Sequence, residues 1–154
     1  LSAAEFTATA DPWLPDHYDR RVVEGLAHEV QQRIATLADA ADWLDWLFDE
    51  ITGYDEKAWT KAMVKGRAAG RVLDEVAALL VDDPFDDATR LEKTVMGVGD
   101  RLTEELGGRV MSQAPLRVAL TGRGAGIPLW EAMTFLGRER TLARIAAARA
   151  RLDG

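Results

Sequence analysis

Apolar residues recur every three to four positions along most of this chain, and nowhere do they alternate with polar residues for long enough to make a half-buried strand. That periodicity leaves an all-α, multihelical fold of roughly eight to ten helices. The one stretch with strand character, VMSQAPLRVAL at 110–120, holds a proline and lies between glycines, so short helices are expected there too.

The helix punctuation is legible. Ser2 and Glu5 have the spacing of a capping box, and the helix they open should stop near Asp11-Pro12, because a residue before proline avoids the helical region. Trp13-Leu14-Pro15 follows as an apolar knuckle. From about Asp19 a long helix is predicted, with Val22, Leu26, Val30, Ile34 and Leu37 along one face. Asp39 or Asp42 is placed to cap the next helix, which buries Trp43, Leu44, Leu47, Phe48 and Ile51. Thr52-Gly53-Tyr54 breaks that run, and Asp55 caps a helix containing Ala58, Trp59, Ala62 and Met63. Gly66 is the best hinge, dividing residues 1–66 from 67–154 as two small helical subdomains.

Beyond that glycine, Val72, Leu73, Val76, Leu79 and Leu80 form a face stopped by Asp82-Asp83-Pro84. Asp86 or Asp87 restarts the helix, with Leu91, Val95, Val98, Leu102 and Leu106 on one side. Gly97 and Gly99 weaken it by about 1 kcal/mol each relative to alanine, so close packing is expected at both. Gly107-Gly108 ends it.

With 154 residues, 47% hydrophobic and 29% charged, the chain has room and composition for one globular domain or two small ones sharing a core. No apolar run approaches the roughly 18–20 residues of a membrane span, and LSAAEFTATA lacks the basic-then-apolar order of a signal peptide. The absence of cysteine excludes disulfides and thiolate metal sites and fits a reducing cytoplasm. A first residue other than Met is expected of a piece of a longer chain and equally of a processed one. A net charge of −7 argues against an indiscriminate polyanion binder. The charge is unevenly spread, though, with a balance of −9 over residues 1–60 and +5 over 107–154.

Few residues are arranged for chemistry. His17 and His28 lack metal-ligand spacing and a triad partner, which leaves them as surface or cap residues. Asp42, Asp45, Asp49 and Glu50 read as a solvated helix face sooner than a cation site. Gly122-Arg123-Gly124-Ala125-Gly126 has neither a preceding strand nor a following Lys-Ser/Thr, so it is a connector and not a phosphate cradle. Arg138, Arg140, Arg144, Arg149 and Arg151 have two open readings: phosphate contacts, or solubilising residues paired with Glu131 and Glu139. The five tryptophans read as core, with Trp130, at the edge of the loop, the exception to watch. No catalytic constellation and no metal site is found.

The segment Pro115–Ile145 is the most specific. Pro115 suits a first helical turn and Gly122 the left-handed position past a helix end. Pro128 opens a second helix that presents Leu129, Met133 and Leu136, and Gly137 closes it. A third carries Leu142 and Ile145 inward and Arg138, Arg140 and Arg144 outward. The ordered run PLRVALTG, a short loop, Pro-Leu-Trp-Glu and then LGRER closely resembles the C-terminal anticodon-binding region of bacterial glutamyl-tRNA synthetases. Gln32-Arg33-Ile34-Ala35-Thr36-Leu37, Trp46-Leu47-Phe48 and Tyr54-Asp55-Glu56-Lys57-Ala58 extend the likeness over essentially the whole chain.

The resemblance implies a tRNA-binding domain for tRNA(Glu), extending to tRNA(Gln), in a monomeric cytoplasmic enzyme. The catalytic signatures of that class I synthetase are absent, so ATP and Mg²⁺ belong to a catalytic domain outside this chain, which holds no cofactor and is inactive alone. By the same likeness Arg117 contacts the first anticodon base, and the backbone and side chains of Gly126, Ile127, Pro128 and Leu129 enclose the second. Arg123, Arg138, Arg140 and Arg144 are the candidate phosphate contacts. The proline stands one place later than in the family's usual Pro-Gly-Leu. Asp45 occupies the place where some members carry an arginine facing the third base. A carboxylate accepts from cytosine and from guanine alike, so it is not expected to enforce cytosine; alternatively Asp45 simply faces solvent. The rival to anticodon reading is a helical protein–protein adaptor derived from this domain.

Overall fold

Side-chain caps mark where four of the helices begin. In the computed structural model of the protein, which describes residues 1–154, nine α-helices are arranged without a strand. They are α1 (Ala3–Ala10), α2 (Arg20–Gln31), α3 (Ala40–Leu44), α4 (Glu56–Trp59), α5 (Ala69–Leu80), α6 (Ala88–Leu106), α7 (Gln113–Thr121), α8 (Leu129–Leu136) and α9 (Arg138–Asp153). The Ser2–Glu5 capping box opens α1, and the side chains of Asp19, Asp55 and Asp87 accept first-turn N–H groups of α2, α4 and α6. A π-helical turn, Thr60–Val64, extends α4. The stretch with strand character is helix α7.

Three details differ from the periodicity. α2 stops at Gln31, short of Ile34 and Leu37, because the Asp39 carboxylate accepts the Thr36 N–H at 2.9 Å and starts a 3₁₀ turn over Leu37–Asp39. Leu79 and Leu106, in the last turns of their helices, are exposed. Of the two α6 glycines only Gly99 is tightly packed. A Cβ there would lie 2.9 Å from Ser112 Oγ, whereas around Gly97 there is open space.

A single cluster of 37 buried apolar residues runs from Phe6 to Ala148. It joins the halves on either side of Gly66, where a Cβ would fall on the carbonyl oxygen of Ala62. α1 packs on α2, α5 lies against α6 and α9, and α8 reaches α2, α6 and α9. α7 settles against α9, so its C-terminal end and the connector to α8 are held at the surface beside residues 42–55. No helix is long and apolar enough to cross a membrane.

Candidate nucleic-acid interface

The connector between α7 and α8 is built by a hydroxyl, a glycine and a clamp. Thr121 Oγ1 donates to the Arg117 carbonyl (2.8 Å) and accepts the Arg123 N–H (3.0 Å), tying the helix end to the turn after it. Gly122 takes φ +75°, donates its N–H to the Val118 carbonyl and accepts from the Asp55 N–H, each at 2.8 Å. This C-cap therefore docks the connector onto the start of α4.

Arg117 lies along the inner side of the connector. Its Nη1 donates to the Ile127 carbonyl at 2.9 Å and would stand 3.2 Å from a Cβ at Gly126. The side chain is half-buried and makes no ion pair or second hydrogen bond. Burial, with Arg33 adding to it, holds its pKa below the usual arginine range. A guanidinium has five N–H donors, and most of these point to no protein acceptor.

The residues assigned around it divide into surface and support. Gly126 and Pro128 are partly accessible. Ile127 and Leu129 are fully buried, which corrects the expectation that they enclose a base. Their apolar side chains meet the core, where they fix the height of the loop. Trp130 is partly buried against the core. The aromatic residues that border the recess beside Gly126 are Trp43, of α3, and the more deeply buried Trp46.

That recess, about 360 Å³, is lined by Asp42, Trp43, Trp46, Thr121, Arg123, Ala125 and Gly126. A second, of about 650 Å³, shares Trp46, Thr121, Arg123 and Ala125 with it and extends over Asp45, Asp49, Glu50 and Tyr54. Arg123 stands between them. Its guanidinium forks onto Asp45, with Nη1–Oδ1 at 2.9 Å and Nη2–Oδ2 at 2.6 Å, and also donates to the Asp42 carbonyl. Asp45 is thus an ion-pair partner whose side chain is still 31% exposed, with one lone pair on each oxygen committed to Arg123. The larger recess carries several carboxylates against one arginine, an environment that repels phosphate and suits neutral, donor-bearing groups. No three His, Asp or Glu side chains gather in a way that could hold a metal ion. His17 is exposed and bonds Asp49 at 2.7 Å.

Two of the arginines of α9, Arg140 and Arg144, turn inward, against the expectation. Arg144 is only 5% exposed and donates to the carbonyls of Trp46, Leu120 and Asp49 at 2.6, 2.8 and 3.1 Å. Arg140 donates to those of Leu47, Leu136 and Phe135. Both act as struts, because helix and turn ends with carbonyls to satisfy converge on α9 and an arginine can bury its stem while satisfying several at once. Arg138 remains exposed, near the Asp83 carbonyl. The acidic partners of Arg149 are Asp74 and Asp153 and that of Arg151 is Glu56, not Glu131 or Glu139.

Cations with no acidic partner gather elsewhere. Lys57, Lys61 and Lys65 follow α4 and its π-helical extension, with Arg67 and Arg109 beside them. The i, i+4, i+8 spacing of the lysines was their sequence signal, obscured by the acidic balance of the N-terminal segment.

A profile of the anticodon binding domain family matches residues 5–149. The chain is 43% identical to the glutamate–tRNA ligase of Salinispora tropica, over 99% of its own length and 34% of the relative's. It is 40% identical to that of Frankia casuarinae over 100% of its own length and 33% of the relative's. It therefore spans about a third of the curated relatives it matches. Among solved structures, a glutamate tRNA ligase from Elizabethkingia meningosepticum superposes with a TM-score of 0.79 at 20% identity, covering 99% of this chain and 30% of that one, a likeness of fold.

Proposed function

Since the chain belongs to the anticodon-binding domain family, we propose that it reads the anticodon of tRNA(Glu) as the C-terminal part of a cytoplasmic, monomeric glutamate–tRNA ligase. The ATP- and Mg²⁺-dependent joining of glutamate to the RNA belongs to that enzyme's catalytic domain, a partner outside this chain. The observation that carries the reading is Arg117. A half-buried guanidinium with no carboxylate and one carbonyl acceptor has donors to offer, and the edge of an unstacked base presents the acceptors it lacks. Gly126 gives that edge close access, and the recess by Trp43 has an aromatic wall for a second base.

The third base falls to the Asp45–Arg123 pair. Held in a fork by Arg123, Asp45 keeps an acceptor lone pair on each oxygen that serves cytosine and guanine alike, so it does not select cytosine, and the site accepts tRNA(Gln) as well as tRNA(Glu). The adaptor reading finds no comparable support, because a protein groove does not call for an unpaired buried arginine beside a glycine loop.

Binding of fluorescent tRNA(Glu) and tRNA(Gln) transcripts at low salt tests this, beside a tRNA(Glu) altered at the first anticodon base. Arg117→Ala should weaken tRNA(Glu) binding by at least about tenfold, or about 1.4 kcal/mol. The altered RNA should lose a similar factor with the unmodified protein and little further with the variant. Equal binding of all RNAs to both proteins would overturn anticodon reading. A preference for tRNA(Glu) over tRNA(Gln) above tenfold would overturn the permissive third position alone.

A further inference from the structure

The unpaired lysines border a groove that anticodon reading does not use. It holds about 430 Å³ and is lined on one side by Lys61, Lys65 and Arg67 and on the other by Arg109 and Met111. Its far end reaches Gly124 in the connector, so it opens directly onto the site described above. A Cβ at Gly124 would lie 3.3 Å from that of Ala58, one helical turn before Ala62. Lys57 continues the line of charge on the outer side of the same helix.

Three features distinguish this surface from a scatter of solvated lysines. None of its cations makes an ion pair, although the chain carries 26 acidic residues and most arginines elsewhere are paired. Glu56, the acid at its edge, is taken up by Arg151, which also lies over the rings of Tyr54 and Trp59. The groove also has an apolar wall, with Met111 54% exposed beside Pro115 and Val118. Cations about one helical turn apart, opposite an apolar wall, fit a polymer with a regularly charged edge and flat apolar faces. Single-stranded or loop RNA is that polymer.

Resting on the anticodon reading, we propose that this groove carries the backbone of the RNA strand leaving the anticodon site. Lys61 and Lys65 contact successive phosphates, Arg67 and Arg109 flank the strand, and Met111 packs on a base or sugar face. The acidic recess beyond Arg123 then receives bases and excludes phosphate, while this groove does the reverse. The two surfaces meet at Gly124, where the chain carries no side chain to obstruct the strand.

Salt titration of tRNA(Glu) transcript binding tests the proposal, using the whole chain, Lys61→Ala/Lys65→Ala, and Lys93→Ala as a control at an exposed lysine outside the groove. Each lost phosphate contact should make the slope of log K against log salt shallower by about 0.7, so the double variant should lose about 1.4 and the control nothing. Circular dichroism should be unchanged, since alanine favours exposed helical positions. The preference for the native anticodon should persist. An unaltered slope with that preference intact would overturn the groove's RNA role, leave anticodon reading standing, and give the surface to an acidic protein face. No binding of the transcript by the unmodified chain at low salt would overturn both readings.

Discussion

Gly122 shows how a single residue sets the geometry of the connector. Its φ of +75° is one that side-chain-bearing residues rarely adopt, and a Cβ would lie 2.5 Å from the Gly53 carbonyl oxygen. The left-handed conformation alone costs about 1–3 kcal/mol for another residue, and the contact adds to it. Gly122→Ala should lower the melting temperature and displace the connector from the 53–55 segment, weakening RNA binding even with Arg117 in place. An unchanged melting temperature would show that the connector is not clamped there. Arg117 and Arg144 illustrate why residue type alone does not assign a role. Both are arginines whose pKa is pushed down by burial, yet one has a single carbonyl partner and the other three.

At the scale of elements, α9 acts as a girder more than as a charged outer helix. Through Arg144 it binds the end of α7 and the 46–49 segment at once, and through Arg140 it reaches Leu47 and the end of α8. Removing Arg144 would leave buried carbonyls without donors, at about 1–3 kcal/mol each. Arg144→Met should therefore destabilise the protein by about 3 kcal/mol or more in urea denaturation. Arg144→Lys should recover only part of this, because one ammonium does not reproduce a guanidinium fork. A loss below about 1 kcal/mol for Arg144→Met would mean that water replaces the arginine easily. The expectation of an outward Arg144 followed from treating every charged residue as solvent-facing. α6 was legible to within its last turn, since Asp87 and Gly107 mark both ends chemically.

Across the whole molecule, one apolar cluster and long-range ties such as Arg123–Asp45 and Arg144–Trp46 link the halves on either side of Gly66. Unfolding should consequently be a single transition, with tryptophan fluorescence and far-ultraviolet circular dichroism coinciding. Two separated transitions would show that residues 1–66 and 67–154 fold independently. The sequence by itself determined most of the helices and several of their ends, because caps, prolines, glycines and apolar spacing act within a few residues of one another; the ends of α2 and α3, at Gln31 and Leu44, fell short of the apolar spacing. It also marked the α7–α8 connector as the distinctive stretch. Tertiary structure alone decided which cations are spent internally and which remain available. That depends on where distant carbonyls and carboxylates come to lie: Arg123 meets Asp45, 78 positions away, and Arg144 meets Trp46, 98 positions away. Lys61 and Lys65 are left unpaired for the same reason. Charge pairing is a property of the folded surface, and no local pattern encodes it.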